Sequence, residues 1–69
     1  MKEVVRILLV DPHALVRKAV RRLLEVDPGL TVCAEAETPE QVERALRRHH
    51  PDLAILDLEL QREDSLTLI

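Results

Sequence analysis

Arg6-Ile7-Leu8-Leu9-Val10 runs into Asp11, and Leu53-Ala54-Ile55-Leu56 runs into Asp57. Both runs are short, apolar and rich in branched side chains, the composition of strands buried on both faces. Helical patterns separate them, so the strands are expected to be parallel. In such sheets chemistry gathers beyond the carboxyl ends of the strands, where strand order reverses. An acid at the end of each run therefore points to a shared carboxylate site. The same spacing also arises where Asp merely caps the helix that follows.

Outward from these runs the chain alternates between strand and helix. Val4 to Val10 reads as strand one. From His13 to Val26, the apolar positions Val16, Ala19, Val20, Leu23 and Leu24 are spaced by three and four, which marks a one-sided helix. Arg17, Lys18, Arg21, Arg22 and Glu25 are assigned to its solvated face. Asp27-Pro28-Gly29 stops the helix, and residues 30–35 read as strand two. Thr38-Pro39-Glu40-Gln41 then opens a second helix over 39–49: Thr38 caps its amides, Pro39 suits the first position and Gln41 can close a capping box. Val42, Ala45 and Leu46 supply its narrow apolar stripe. Strand three is expected over 53–58, a polar stretch over 61–64, and a third helix from Ser65. Right-handed crossovers can place strand one between the other two, bringing Asp11 and Asp57 to the ends of neighbouring strands.

Composition narrows the function. Sixty-nine residues allow one small domain, burying roughly 60% of its unfolded surface. Apolar residues make up 46% of the chain and none is Phe, Tyr or Trp. This disfavours modules that stack bases on aromatic rings. A net charge of -3 argues against a nucleic-acid platform. Cys33 is the sole cysteine and is expected to be a small buried core residue, with no internal disulfide possible. There is no signal peptide and no long apolar run, so a soluble, cytoplasmic protein without membrane contact is expected.

Other side chains attract attention but yield to simpler readings. His13, His49 and His50 lack zinc-type spacing and are read as solvated. Arg44, Arg47 and Arg48 alternate with apolar positions, which suits an exposed helix face better than a phosphate site. One glycine excludes both a P-loop and a dinucleotide fingerprint.

Three segments, Arg6–Lys18, Asp27–Ala36 and His50–Leu58, resemble in order and spacing the response-regulator receiver domain, in particular the branch whose receivers precede a helix-turn-helix DNA-binding domain (NarL/LuxR type). The resemblance implies an α/β, flavodoxin-like (CheY-like) parallel sheet with flanking helices, ending here after strand three and the start of helix three. It implies that Asp57 accepts a phosphoryl group from a sensor histidine kinase. It also implies that Asp11, Asp57 and the backbone carbonyl of Glu59 hold Mg2+. Phosphoryl transfer to a carboxylate brings anions together, and a divalent cation neutralises them. The expected role is a signal relay rather than an enzyme, with output through a transcriptional domain that lies outside these residues. A homodimer is a further expected partner, and DNA would be met only through that other domain.

The departures are specific. The family places a second acid directly after the first, where this chain has Pro12. Proline begins a helix well but brings no carboxylate, which weakens the expected Mg2+ site. Gln61, Arg62 and Ser65 stand in a loop that usually carries Pro and Gly. The switch Ser/Thr and the phosphoryl-contacting Lys of a complete receiver are not among these residues. Two rivals follow: a degenerate receiver that works through protein contacts without phosphorylation, and a truncated product with no function of its own.

Overall fold

Ile7, Leu8, Leu9 and Val10 are each no more than 2% exposed in the computed structural model, which describes residues 3–56. Four consecutive buried residues require cover on both faces of a strand, because successive side chains point to opposite sides. That strand, β1 (Val5–Val10), is the centre of a three-stranded parallel sheet. It pairs with β2 (Leu30–Ala36) on one side and β3 (Leu53–Leu56) on the other. Helix α1 (Ala14–Leu24) connects β1 to β2, and α2 (Pro39–His49) connects β2 to β3. The order β2-β1-β3 makes the two crossovers run in opposite directions, and right-handed connections then place one helix on each face.

This is the expected fold, with strand one central. The strand begins at Val5 and β2 continues to Ala36, one residue past the expected end. The helix expected over 13–26 spans Ala14–Leu24, with His13 and Glu25 as its caps. Residues 57 and 58 of the expected third strand, the polar stretch 61–64 and the helix from Ser65 lie outside the described residues.

One half of the core lies beneath α2, where Leu8, Val10 and Ala36 meet Ala45, with Ala34 and Val42 packed against them. Alanines on both β2 and α2 contribute to this layer. Thr38 caps α2, its hydroxyl accepting the Gln41 amide at 3.2 Å. The Gln41 side chain reaches back to the Glu37 amide at 2.7 Å rather than to that of Thr38, so the capping box closes one residue early. The helix ends on His50 in the left-handed region (φ 48°), whose amide donates to the Leu46 carbonyl at 3.2 Å.

Two features depart from the sequence reading. Cys33 is half-buried rather than a core residue. Ile7 pairs with Val32 but Leu8 pairs with Ala34, so a bulge leaves Cys33 without a partner on β1 and turns it out of the packed layer. In α1 the half-buried residues are Arg17, Val20 and Leu24, and no residue of the helix is fully buried. Val16 and Leu23, assigned to the buried stripe, are 45% and 75% exposed, while Arg17, assigned to the solvated face, has a side chain only 12% exposed. Glu35 and Glu37 at the end of β2 draw Arg17 inward and turn the helix with it.

Candidate functional site: the carboxyl end of the parallel sheet

Asp11 leaves β1 at the end of the sheet where strand order reverses, and every polar part of it but one is engaged. Its amide donates to the Ala36 carbonyl at 3.0 Å, extending the β1–β2 pairing by one step. Its own carbonyl accepts Arg17 Nη1 at 2.7 Å. Its Oδ1 accepts the His13 amide at 2.7 Å and stands 3.0 Å from His13 Nδ1. These bonds form because Pro12 turns the chain tightly between strand and helix, bringing the amide two residues on back to the carboxylate. Asp11 thus holds the entry to α1 from outside the cap position, since His13 makes no side-chain cap bond of its own. The other carboxylate oxygen, Oδ2, has no hydrogen bond among the described residues, and the Asp11 side chain is 13% exposed.

The register connects this acid to the third strand. Val10 pairs with Leu56, and the residues that follow these partners in the chain are Asp11 and Asp57. Asp52 fixes that register at the opposite end: its amide donates to the Arg6 carbonyl at 2.8 Å, while its Oδ2 accepts the Arg6 amide at 2.9 Å. Between α1 and the ends of β1 and β3 lies a depression of about 220 Å³, lined by Leu9, Val10, Asp11, Arg17, Ile55 and Leu56 among others. Asp57 and Glu59 lie outside the described residues.

Arg17 organises the neighbouring charge. Its Nε donates to Glu35 Oε1 at 2.8 Å and its Nη2 stands 3.1 Å from Glu37 Oε1. Arg21 joins through Nη1 to Glu35 Oε2 at 3.0 Å. The hydrogen bond to Glu35 is the main reason the Arg17 guanidinium holds its proton more firmly than usual, opposed by burial and reinforced by Glu37. Glu25, just beyond α1, accepts the Val32 amide at 3.1 Å beside the bulge. That bond, with Arg21 nearby, lowers the Glu25 pKa below its ordinary value, against a smaller opposing effect of burial.

Asp11 stands directly after β1, as its sequence position implies, whereas its hydrogen-bonding partners were not foreseen. His13, read as solvated, is an exposed side chain in contact with Asp11. His50 is exposed and His49 half-buried. Arg17, expected on the solvated face, is drawn inward instead; the sequence signal for it is the Glu35, Glu37 pair, two carboxylates on one face at the end of β2. Arg44, Arg47 and Arg48 are exposed, as expected of a helix face. Among the described residues no three His, Cys, Asp or Glu side chains gather as a metal cluster, and no helix is long and apolar enough to cross a membrane.

Comparison with known proteins agrees with this geometry. The sequence model of the response regulator receiver domain matches residues 7–69. The chain is 40% identical over 65 residues to protein-glutamate methylesterase/protein-glutamine glutaminase 1 of Oleidesulfovibrio alaskensis, covering 94% of this chain and 18% of that protein. It is 42% identical over 65 residues to protein-glutamate methylesterase/protein-glutamine glutaminase 5 of Anaeromyxobacter dehalogenans, again 94% of this chain and 18% of the relative. A similar enzyme of Rhodospirillum rubrum is 36% identical over 69 residues, all of this chain and 19% of that protein. The chain thus spans about a fifth of the length of these relatives, and their names carry an esterase and glutaminase activity where the sequence reading expected the NarL/LuxR branch. With its parallel sheet, its acid at the strand-order reversal and a family match over most of its length, the chain belongs to the response regulator receiver domain family.

Proposed function

We propose that this receiver accepts a phosphoryl group on Asp57 from a sensor histidine kinase and passes the signal to an output unit outside these residues. The observation that carries the reading is the β1–β3 register: Val10 and Leu56 are partners, and an aspartate follows each in the chain. In the transfer, a carboxylate oxygen of Asp57 bonds to phosphorus, the phosphorus–nitrogen bond of the phosphohistidine breaks, and the imidazole leaves with the bonding pair. Asp11, Asp57 and the Glu59 carbonyl are the groups that would hold Mg2+. The Asp11 carboxylate fits this role, since Oδ2 is an oxygen donor free of hydrogen bonds among the described residues and Mg2+ takes hard oxygen ligands. When bound, the ion supplies charge neutralisation to the approaching phosphoryl group. Asp11 is held for that purpose by Ala36, His13 and Arg17, so its carboxylate needs little reordering.

The relatives' names favour an enzymatic output acting on protein glutamate or glutamine side chains over the transcriptional output expected from the sequence. Added negative charge on Asp57 would bias a two-state surface facing that unit. A cytoplasmic location and a homodimer belong to the same reading. A second reading rests on Pro12, which stands where the family has its second acid: a receiver that signals through protein contacts alone.

A small-molecule phosphodonor with Mg2+ separates the two. Intact mass spectrometry is expected to show one added phosphoryl group, absent in Asp57→Asn because an amide is a poor nucleophile. Equal labelling of the variant would remove Asp57 from the role, and no labelling of the unaltered protein would favour the second reading.

A further inference from the structure

Arg17 is the only charged residue of α1 that is not exposed, and each of its three guanidinium nitrogens has its own oxygen partner. Two of the partners are carboxylates, Glu35 and Glu37, at the end of β2. The third is the backbone carbonyl of Asp11, at 2.7 Å. From this geometry we infer that Arg17 is a positioning residue for the acid of the site: it fixes the peptide that carries Asp11 and so presents the Asp11 carboxylate to a divalent cation. The inference deepens the proposed Mg2+ role of Asp11 and rests on that reading.

The peptide that follows Asp11 belongs to Pro12, which has no amide proton with which to anchor the turn. The Asp11 carbonyl is therefore the remaining backbone handle after its amide has gone to Ala36. Arg17 takes that handle from a helix, a rigid element, and is itself braced against β2. The result ties β1, α1 and β2 together within one turn of the acid. A guanidinium beside a cation site would ordinarily repel the cation. Here Glu35 and Glu37 offset its charge, so Arg17 can orient the acid without that cost. Lysine suits this arrangement poorly, since its three N–H donors share one nitrogen while the three oxygens are spread around a planar guanidinium.

The test is an Mg2+ titration followed through the Asp11 and His13 amide shifts, with amide exchange measured at His13, whose N–H is bonded to Asp11 Oδ1. Arg17→Gln is expected to weaken Mg2+ binding on the order of tenfold, as loss of a group that orients a ligand does. It should also speed His13 exchange, while the amides of β1 and β2 keep their shifts. Arg17→Lys should fall between Arg17→Gln and the unaltered protein, and it carries the test if Arg17→Gln does not fold. Unchanged Mg2+ affinity in both variants, with His13 exchange also unchanged, would overturn the inference. If the unaltered protein binds no Mg2+, the metal reading of Asp11 fails, and His13 exchange decides for Arg17: faster in the variants supports the positioning role, unchanged refutes it.

Discussion

Asp52 holds the alignment on which the functional reading depends, and its removal has a calculable effect. The Asp52 carboxylate accepts the Arg6 amide at 2.9 Å, and the Asp52 amide returns a bond to the Arg6 carbonyl at 2.8 Å. In Asp52→Ala the second bond remains and the first is lost. A hydrogen bond to a charged group contributes about 1.5–3 kcal/mol. Asp52 is exposed, so water can replace part of the bond and the lower end applies, about 1.5 kcal/mol. That is roughly a tenfold fall in the ratio of folded to unfolded protein. Asp52→Asn keeps a neutral acceptor of the same shape and should recover about half of the loss. Urea unfolding measures both, and amide exchange at Arg6 localises the effect to the start of the β1–β3 pairing. An Asp52→Ala protein within about 0.3 kcal/mol of the original, or with unchanged Arg6 exchange, would show that the strand pairing sets the register without this carboxylate.

Leu8, fully enclosed between β2, β3 and α2, should cost about 3–4 kcal/mol when cut to alanine, read by denaturant unfolding. Glu25 has a folded pKa below its ordinary value of 4.5, so its stabilising effect is present above that pH and lost as pH falls through the lower folded value. Glu25→Gln should therefore flatten the dependence of stability on pH just below 4.5 while leaving its slope near neutrality unchanged, as followed by urea unfolding across that range. Pro12→Asp restores a second carboxylate beside Asp11 and should tighten Mg2+ binding on the order of tenfold, measured by titration. In the 69-residue chain taken alone, β3 pairs on one side only among the described residues, with Leu53 and Leu56 50% and 40% exposed. Self-association through this edge is expected in sedimentation, and a monomer with well-protected amides from Leu53 to Leu56 would refute it.

The sheet was legible because of what double burial demands. A strand covered on both faces cannot alternate polar and apolar residues, so β1 announced itself as an unbroken run, and the helices between the runs implied parallel strands. The α2 cap was legible for a local reason, since Thr38, Pro39 and Gln41 meet within one turn. What escaped was set by distant partners. The bulge at Cys33 reflects how β2 fits against β1, and nothing in residues 30–36 alone marks it. The rotation of α1 follows from carboxylates some eighteen and more positions further on. Apolar periodicity gave a stripe wide enough for several orientations, and Glu35 with Glu37 selected among them.

The same distinction explains why the position of Asp11 was legible and its support was not. A strand-end acid is visible because topology places it; the means of holding it is visible only once charges from three elements meet. At this end of the sheet Arg17 and Arg21 face Glu35 and Glu37, with Glu25 reaching from the far end of α1 toward the bulge in β2. The cations are drawn to β2 carboxylates and leave the Asp11 carboxylate to the His13 amide and ring. An arginine paired directly with Asp11 would have stabilised the charge and occupied the carboxylate oxygen that the proposed metal role needs. Placing Arg17 on the carbonyl instead separates the two: the backbone takes the guanidinium, and one carboxylate oxygen stays without a hydrogen bond among the described residues. The Mg2+ role proposed for Asp11 draws on that separation, because Pro12 puts no second carboxylate beside it at the end of β1.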